Sequence, residues 1–182
     1  QGGIKRVIRY LKRCPRCVLR MSVDRERSLE LLTDSDWAGD ASSRRSCSGG
    51  FVLWHGVPLT CWSKLQSNVA LSSGEAELNG AVKAMSEGLG ALHLIRELVG
   101  EECRVSLCTD ASACKGIVLR QGSGRIKHLD VKSLWIQGAV ESHGVVVQKV
   151  PREVNPADMM THAVSRGELE RHLESVGYYI AS

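Results

Sequence analysis

The chain has 182 residues, 43% of them hydrophobic but only 4% aromatic, and a net charge of +4. That length suits one domain with an appendage, and its core must be filled mostly by aliphatic and small side chains. No apolar run approaches the roughly 20 residues that span a bilayer, and no signal-peptide pattern follows the basic N-terminus, so a membrane or secreted protein is not expected.

The chain opens on Gln1 without a methionine, as a piece of something longer would. Ile4, Val7, Ile8 and Leu11 recur at i, i+3, i+4 and i+7, one apolar helix stripe. Lys5, Arg6, Arg9, Lys12 and Arg13 fill its other faces, and Arg16 and Arg20 follow with no acid among the first 20 residues. Such a head suits phosphates, or is simply a solvated helix face. Pro15 ends the helix, and a short strand is expected around 17–22. Cys14-Pro-Arg-Cys17 lacks the second ligand pair that a zinc site needs. Seven cysteines, odd in number and irregular in spacing, point to a reducing compartment rather than a disulfide framework.

From residue 28 the pattern turns to strands: 28–34, Gly50–Trp54 and Leu59–Ser63, with Gly56-Val57-Pro58 as a turn. Ser72 and Glu75 then form an S-x-x-E capping box. Leu78, Val82, Met85, Leu89, Leu92 and Ile95 follow at helical spacing to about Leu98, and Gly100 stops the helix. Glu77 shares a second stripe with Ala81, Ala84 and Gly88, small enough to let a helix approach a sheet closely. Arg104–Thr109 reads as a central strand ending in Asp110 and leading into a short helix to Leu119. A helix over 128–142 and a β-branched strand over Val145–Val150 come next. Asn155-Pro156 starts another helix with Asp158 in its first turn, and Glu168–Val176 is the last helix. Three hairpin-linked strands followed by helix-separated strands predict a mixed five-stranded α/β sheet, antiparallel first and then parallel, flanked by helices.

Asp34, Glu77, Asp110 and Asp158 lie on strand ends and helix starts, which converge on one edge of an open α/β sheet. Converging carboxylates repel unless a cation lies between them, and hard oxygen ligands suit Mg²⁺ or Mn²⁺. Singly, each acid also fits an ordinary role: turn residue, solvated helix residue, N-cap, or acid at a helix dipole. Asp36 shares a strand face with Asp34, and Glu75 neighbours Glu77.

Several segments then coincide. Asp34-Ser-Asp-Trp-Ala-Gly-Asp40, Arg44–Phe51, Trp62–Gln66, Val69–Gly80, Cys108-Thr-Asp110, Ile126–Asp130 and Val150–Thr161 together resemble the RNase H domain of copia-type LTR retrotransposon Pol polyproteins. The resemblance covers essentially the whole chain. It implies an RNase H-like fold over 28–182, with 1–27 as a basic link from the reverse transcriptase. It also implies a metal-dependent ribonuclease H, cutting the RNA strand of RNA–DNA hybrids during reverse transcription. Two Mg²⁺ ions, or Mn²⁺ as substitute, would sit on Asp34, Glu77, Asp110 and Asp158. Arg125, Lys127, His128, Arg44 and Lys64 would grip the hybrid. The reverse transcriptase and integrase parts of the same polyprotein are the implied partners, in a cytoplasmic virus-like particle or the nucleus. The alternative is an inactive hybrid-binding or connection module of a decayed or domesticated element. Ala111 stands where the family usually has Asn or Ser after the third acid, His162 where it usually has Lys, and Cys14, Arg16 and Cys17 replace the usual turn residues. Ser72 and Ser73 suit helix capping, and Trp37, Trp54, Trp62 and Trp135 are expected in the core.

Overall fold

A computed structural model describes residues 2–21, 28–120, 122 and 130–181. In chain order the elements are α1 (Gly2–Arg13), β1 (Arg16–Leu19), β2 (Ser28–Asp36), β3 (Cys47–Trp54), β4 (Val57–Leu65), α2 (Ser73–Val99), β5 (Arg104–Thr109), α3 (Ser112–Val118), α4 (Asp130–Ser142), β6 (Val146–Lys149), two 3-10 helices (Arg152–Val154 and Pro156–Met160), α5 (Arg166–Ser175) and β7 (Tyr178–Ala181). The main sheet runs β4-β3-β2-β5-β6. Pairing is antiparallel for β2–β3 and β3–β4, and parallel for β2–β5 and β5–β6. The mixed sheet is therefore the one the element order predicts. A tight turn can only reverse a strand, whereas the helical crossovers before β5 and β6 carry the chain back to the starting edge.

The β3–β4 turn falls one residue earlier than expected, on His55 and Gly56, both at positive φ (52° and 73°). Two left-handed residues match the twist of a two-residue hairpin. Pro58 then lies inside β4, an edge strand, which tolerates the missing N–H.

Alternation along β2 divides the core. Leu29 and Leu31 join the cluster that packs under α2, α3 and α4, with Val105, Leu107 and Ile136. Leu32 belongs to the other face, with Phe51, Cys108, Ala157 and Val176. The small stripe of α2 does what its composition suggests: Ala81 and Ala84 are fully buried. A Cβ on Gly88 would stand 2.3 Å from Leu31 Cδ2, and one on Gly80 2.7 Å from Ser35 Oγ. Ser72 caps α2 by accepting from the Glu75 N–H (3.2 Å), while the Glu75 carboxylate accepts from Leu71 N–H, one residue before a regular capping box.

Other features depart from expectation. β1 pairs antiparallel with β7, so the basic head is joined to the C-terminal strand, which the sequence pattern did not reveal. The short helix carrying Asp158 is 3-10, not α. Trp37 and Trp135 are 53% and 43% exposed, whereas Trp54 and Trp62 pack against the core as expected. All seven cysteines are free, and no helix among the described residues is long and apolar enough to cross a membrane.

Candidate metal centre

Three acids lie at the carboxyl ends of parallel strands, where open α/β sheets leave a crevice. Asp34 is near the end of β2, Asp110 follows β5 directly, and Asp158 lies beyond β6 in the second 3-10 helix. The β2–β5 register aligns Leu32 with Cys108, so two residues on, Asp34 comes beside Asp110 on the same face. Glu77 enters from the first turns of α2. The structure brings all four together: Asp34, Glu77 and Asp110 each offer an oxygen within 4.8 Å of the others', and so do Asp34, Asp158 and His162 with their ligand atoms.

Local sequence explains the placement of Asp158. Asn155 caps its helix by accepting from Ala157 N–H (3.2 Å), and Pro156 takes the first helical position, where no donor is needed. The fully buried Asn155 also donates from Nδ2 to Thr33 O (3.0 Å), tying this helix to β2 one residue before Asp34. Gly49, paired with Asp34 across the sheet, leaves room for the helix, since a Cβ there would stand 2.5 Å from Met160 Cβ. Thr161 then donates its hydroxyl to Asp34 Oδ2 (2.5 Å).

Charge crowding is visible in the acids themselves. Burial pushes the Glu77 carboxyl up to about 8, with Asp34 and Asp110 adding to the rise. Asp34 is also raised, chiefly by burial and then by Asp110 and Asp158, against the opposing hydrogen bond from Thr161. Asp110 is raised by burial, with a further contribution from Asp158. Glu77 Oε2 is buried and has no hydrogen-bond partner. Arg152, whose side chain is 63% exposed, donates from Nε to Asp158 Oδ1 at 2.7 Å.

Asp36, the rival of Asp34, is engaged elsewhere: its Oδ1 accepts from Cys47 N–H (2.9 Å). Glu75 is occupied at the start of α2. Arg44 lies in a turn at positive φ and Lys64 is exposed on edge strand β4; neither belongs to the acidic cluster. Arg125, Lys127 and His128 lie outside the described residues. Sequence reasoning missed Arg152, Asn155 and Thr161 as members or supports of the centre. The signals were present, in an Asn-Pro cap signal three residues before an acid and two glycines inside a strand, which mark close backbone approach.

The chain is 34% identical over 148 residues, 81% of its length, to the retrovirus-related Pol polyprotein from transposon TNT 1-94 of Nicotiana tabacum. It is 29% identical over 180 residues, 96% of its length, to that from transposon RE1 of Arabidopsis thaliana. It spans only 11–12% of these polyproteins. No protein-family model matches it. Among solved structures it is similar to LC11-RNase H1, isolated from compost by a metagenomic approach, with TM-score 0.59 and 16% identity, covering 74% of this chain and 93% of that one. The same protein in complex with an RNA/DNA hybrid gives TM-score 0.54 and 17% identity, over 74% of this chain and 94% of that one.

Proposed function

Since the chain is homologous to a segment of the Pol polyproteins of plant transposons and has the RNase H fold, we propose that it is a metal-dependent ribonuclease H that cuts the RNA strand of RNA–DNA hybrids. The observation that carries this reading is the meeting of Asp34, Glu77, Asp110 and Asp158 at one crevice. These acids would hold divalent cations, Mg²⁺ or Mn²⁺. The fit rests on Glu77 Oε2, a buried oxygen without a partner, and on donors that are nearly all hard carboxylate oxygens. Bound ions would supply an activated water and stabilise the leaving oxygen in phosphodiester cleavage.

The chain's own side chains set the conditions for that chemistry. Thr161 holds the Asp34 carboxylate in one orientation. Asn155 fixes the Asp158 helix against β2. Burial on the sheet keeps Glu77 away from bulk water, which makes its charge costly until a cation compensates it. Arg152 and Lys149 stand beside the crevice, Lys149 donating to Ser112 Oγ at 2.7 Å, and both suit the phosphates of a hybrid backbone. Arg125, Lys127, His128, Arg44 and Lys64 are the further candidates for hybrid contact. The relative bound to an RNA/DNA hybrid supports this choice of substrate. In this reading 1–27 is the link from the reverse transcriptase part and 28–182 the nuclease domain. It works beside the reverse transcriptase and integrase parts in a cytoplasmic particle or the nucleus.

A labelled RNA–DNA hybrid with Mg²⁺ tests the activity. Asp110→Asn is expected to lower cleavage by on the order of 10²–10³, the scale for losing one electrostatic stabiliser of a transition state. Equal cleavage by both proteins would remove Asp110 from the mechanism. Hybrid binding without cleavage by wild type in Mg²⁺ or Mn²⁺ would favour the inactive hybrid-binding module instead.

A further inference from the structure

We propose that Trp37 is a stacking platform for an unpaired nucleobase, set beside the acidic crevice and flanked by the cations of Arg44 and Arg45. The inference deepens the nuclease reading and rests on it: the base belongs to a single-stranded extension of the hybrid.

Trp54 and Trp62 pack against the core, whereas Trp37 leaves 53% of its surface in solvent. It follows β2 directly and stands three residues beyond Asp34, so the two Cα atoms are at most roughly 11 Å apart. The ring is not a loose surface side chain. Its Nε1–H donates to Ala70 O at 3.0 Å, in the segment that leads into α2. Trp37 therefore bridges the strand that carries Asp34 and the approach to the helix that carries Glu77. Its backbone neighbours are also held: Ala38, at φ 56°, donates from N–H to the buried Ser46 Oγ (3.0 Å), and Asp36 Oδ1 accepts from Cys47 N–H (2.9 Å). With the indole N–H already bonded, the ring offers solvent only carbon surface. Val69 and Leu71, on either side of Ala70 in the chain, are 49% and 72% exposed.

Charge decides what covers this apolar surface. Arg44 and Arg45 are exposed in the turn after Trp37, which is closed by Arg44 N–H to Asp40 O (2.8 Å) and Asp40 N–H to Arg45 O (3.1 Å). Among the described residues neither guanidinium enters an ion pair. The acids of the same turn are engaged within it. Asp36 holds Cys47 N–H, and Asp40 Oδ2 accepts from Ser42 Oγ and Ser43 N–H, both at 2.9 Å. Free cations beside an exposed aromatic ring suit single-stranded nucleic acid, the cations meeting phosphates and the ring a base. Bases inside a duplex are covered on both faces by their neighbours, so only an unpaired base can lie on the indole. At about 3.4 Å per nucleotide step, that base lies roughly three steps from Asp34.

The test is binding of the full chain to two hybrids in a chelator, so that nothing is cut. One hybrid is blunt, and the other carries a short unpaired extension containing 2-aminopurine, on the RNA strand in one arm and on the DNA strand in the other. The extension is expected to tighten binding by on the order of 10-fold and to quench the 2-aminopurine. A gain in either arm supports the platform and identifies the strand it holds. Trp37→Ala is expected to abolish the gain and the quenching while leaving blunt-hybrid affinity within about twofold, and Trp37→Phe to keep most of both. Arg44→Ala and Arg45→Ala should weaken both hybrids alike and flatten the salt dependence. Equal wild-type affinity for blunt and extended hybrids, or an undiminished gain in Trp37→Ala, would overturn the proposal and leave the patch to a protein partner. Loss of the gain in Trp37→Phe as well would also overturn it, by tracing the effect to the Ala70 hydrogen bond. Failure of the nuclease reading appears separately, as absence of cleavage of the blunt hybrid in Mg²⁺.

Discussion

α1 and α2 are both amphipathic by sequence, yet the fold treats them oppositely. α1 has the cleaner apolar stripe, but Ile4, Val7, Ile8 and Leu11 remain 48–70% exposed. α2 has the more mixed pattern and buries ten residues, including Glu77, Gly80 and Gly88. The difference lies in the opposite surface. α2 meets a sheet face whose Leu31, Thr33 and Ser35 fit its small residues, whereas α1 is joined to the body through β1 and its pairing with β7. Helical periodicity marks a face that could be buried, and a complementary surface decides whether it is.

The strongest way to break this contrast is to thicken the α2 seam. Gly88→Val and Gly80→Val are expected to destabilise the protein by about 3 kcal/mol each, because the new side chains collide with Leu31 and with Ser35 and Thr33. Gly90, in the same helix, has nothing within 4 Å of an added Cβ. Gly90→Ala should instead stabilise by about 0.5–1 kcal/mol through helix propensity. Urea unfolding of the three variants measures this, and equal effects at all three positions would mean that α2 does not press on the sheet.

Next in size is the buried charge that the seam carries. Glu77 has its ordinary value of 4.5 when unfolded and about 8 when folded. The folded state therefore holds the extra proton between those values, and metal-free stability falls as pH rises from about 4.5 through about 8. Asp34 and Asp110 shift in the same direction. Melting in a chelator across that window should fall by about 2–4 kcal/mol in wild type and much less in Glu77→Gln. Adding Mg²⁺ at pH 8 should restore wild type more than the variant.

Smaller effects sharpen the comparison further. Ser72→Ala removes the cap of α2 and is expected to cost about 1 kcal/mol in denaturant unfolding. Val7→Ser on the stripe of α1 should change stability by no more than about 0.5 kcal/mol, as an exposed substitution does. A large loss there would mean that the α1 stripe is buried in solution.

Much of the fold was legible because its signals are local. The Ser72 cap, the Gly100 stop, the turn residues and the β-branched runs act within a few residues, so helix limits, the succession of elements and the antiparallel or parallel sense of pairing follow from them. The β1–β7 pair was not legible, since Tyr178–Ala181 is short and its partner lies about 160 residues away in the chain. Asp34 and Asp36 are alternatives by strand parity. They become distinct only when Cys47 N–H claims Asp36 and Thr161 claims Asp34.

By itself the sequence determined most of the elements, the mixed sheet and four acids at strand ends and helix starts, because periodicity and capping are properties of neighbouring residues; the terminal strand Tyr178–Ala181 and the 3-10 form of the Asp158 helix were not among them. The tertiary structure alone decided that Arg152, Thr161 and His162 join those acids, and that Asn155 and Gly49 hold the Asp158 helix against β2. Those contacts link residues as many as 127 positions apart. No local rule specifies such distances; they follow from register across the sheet and from how closely small residues let its layers approach.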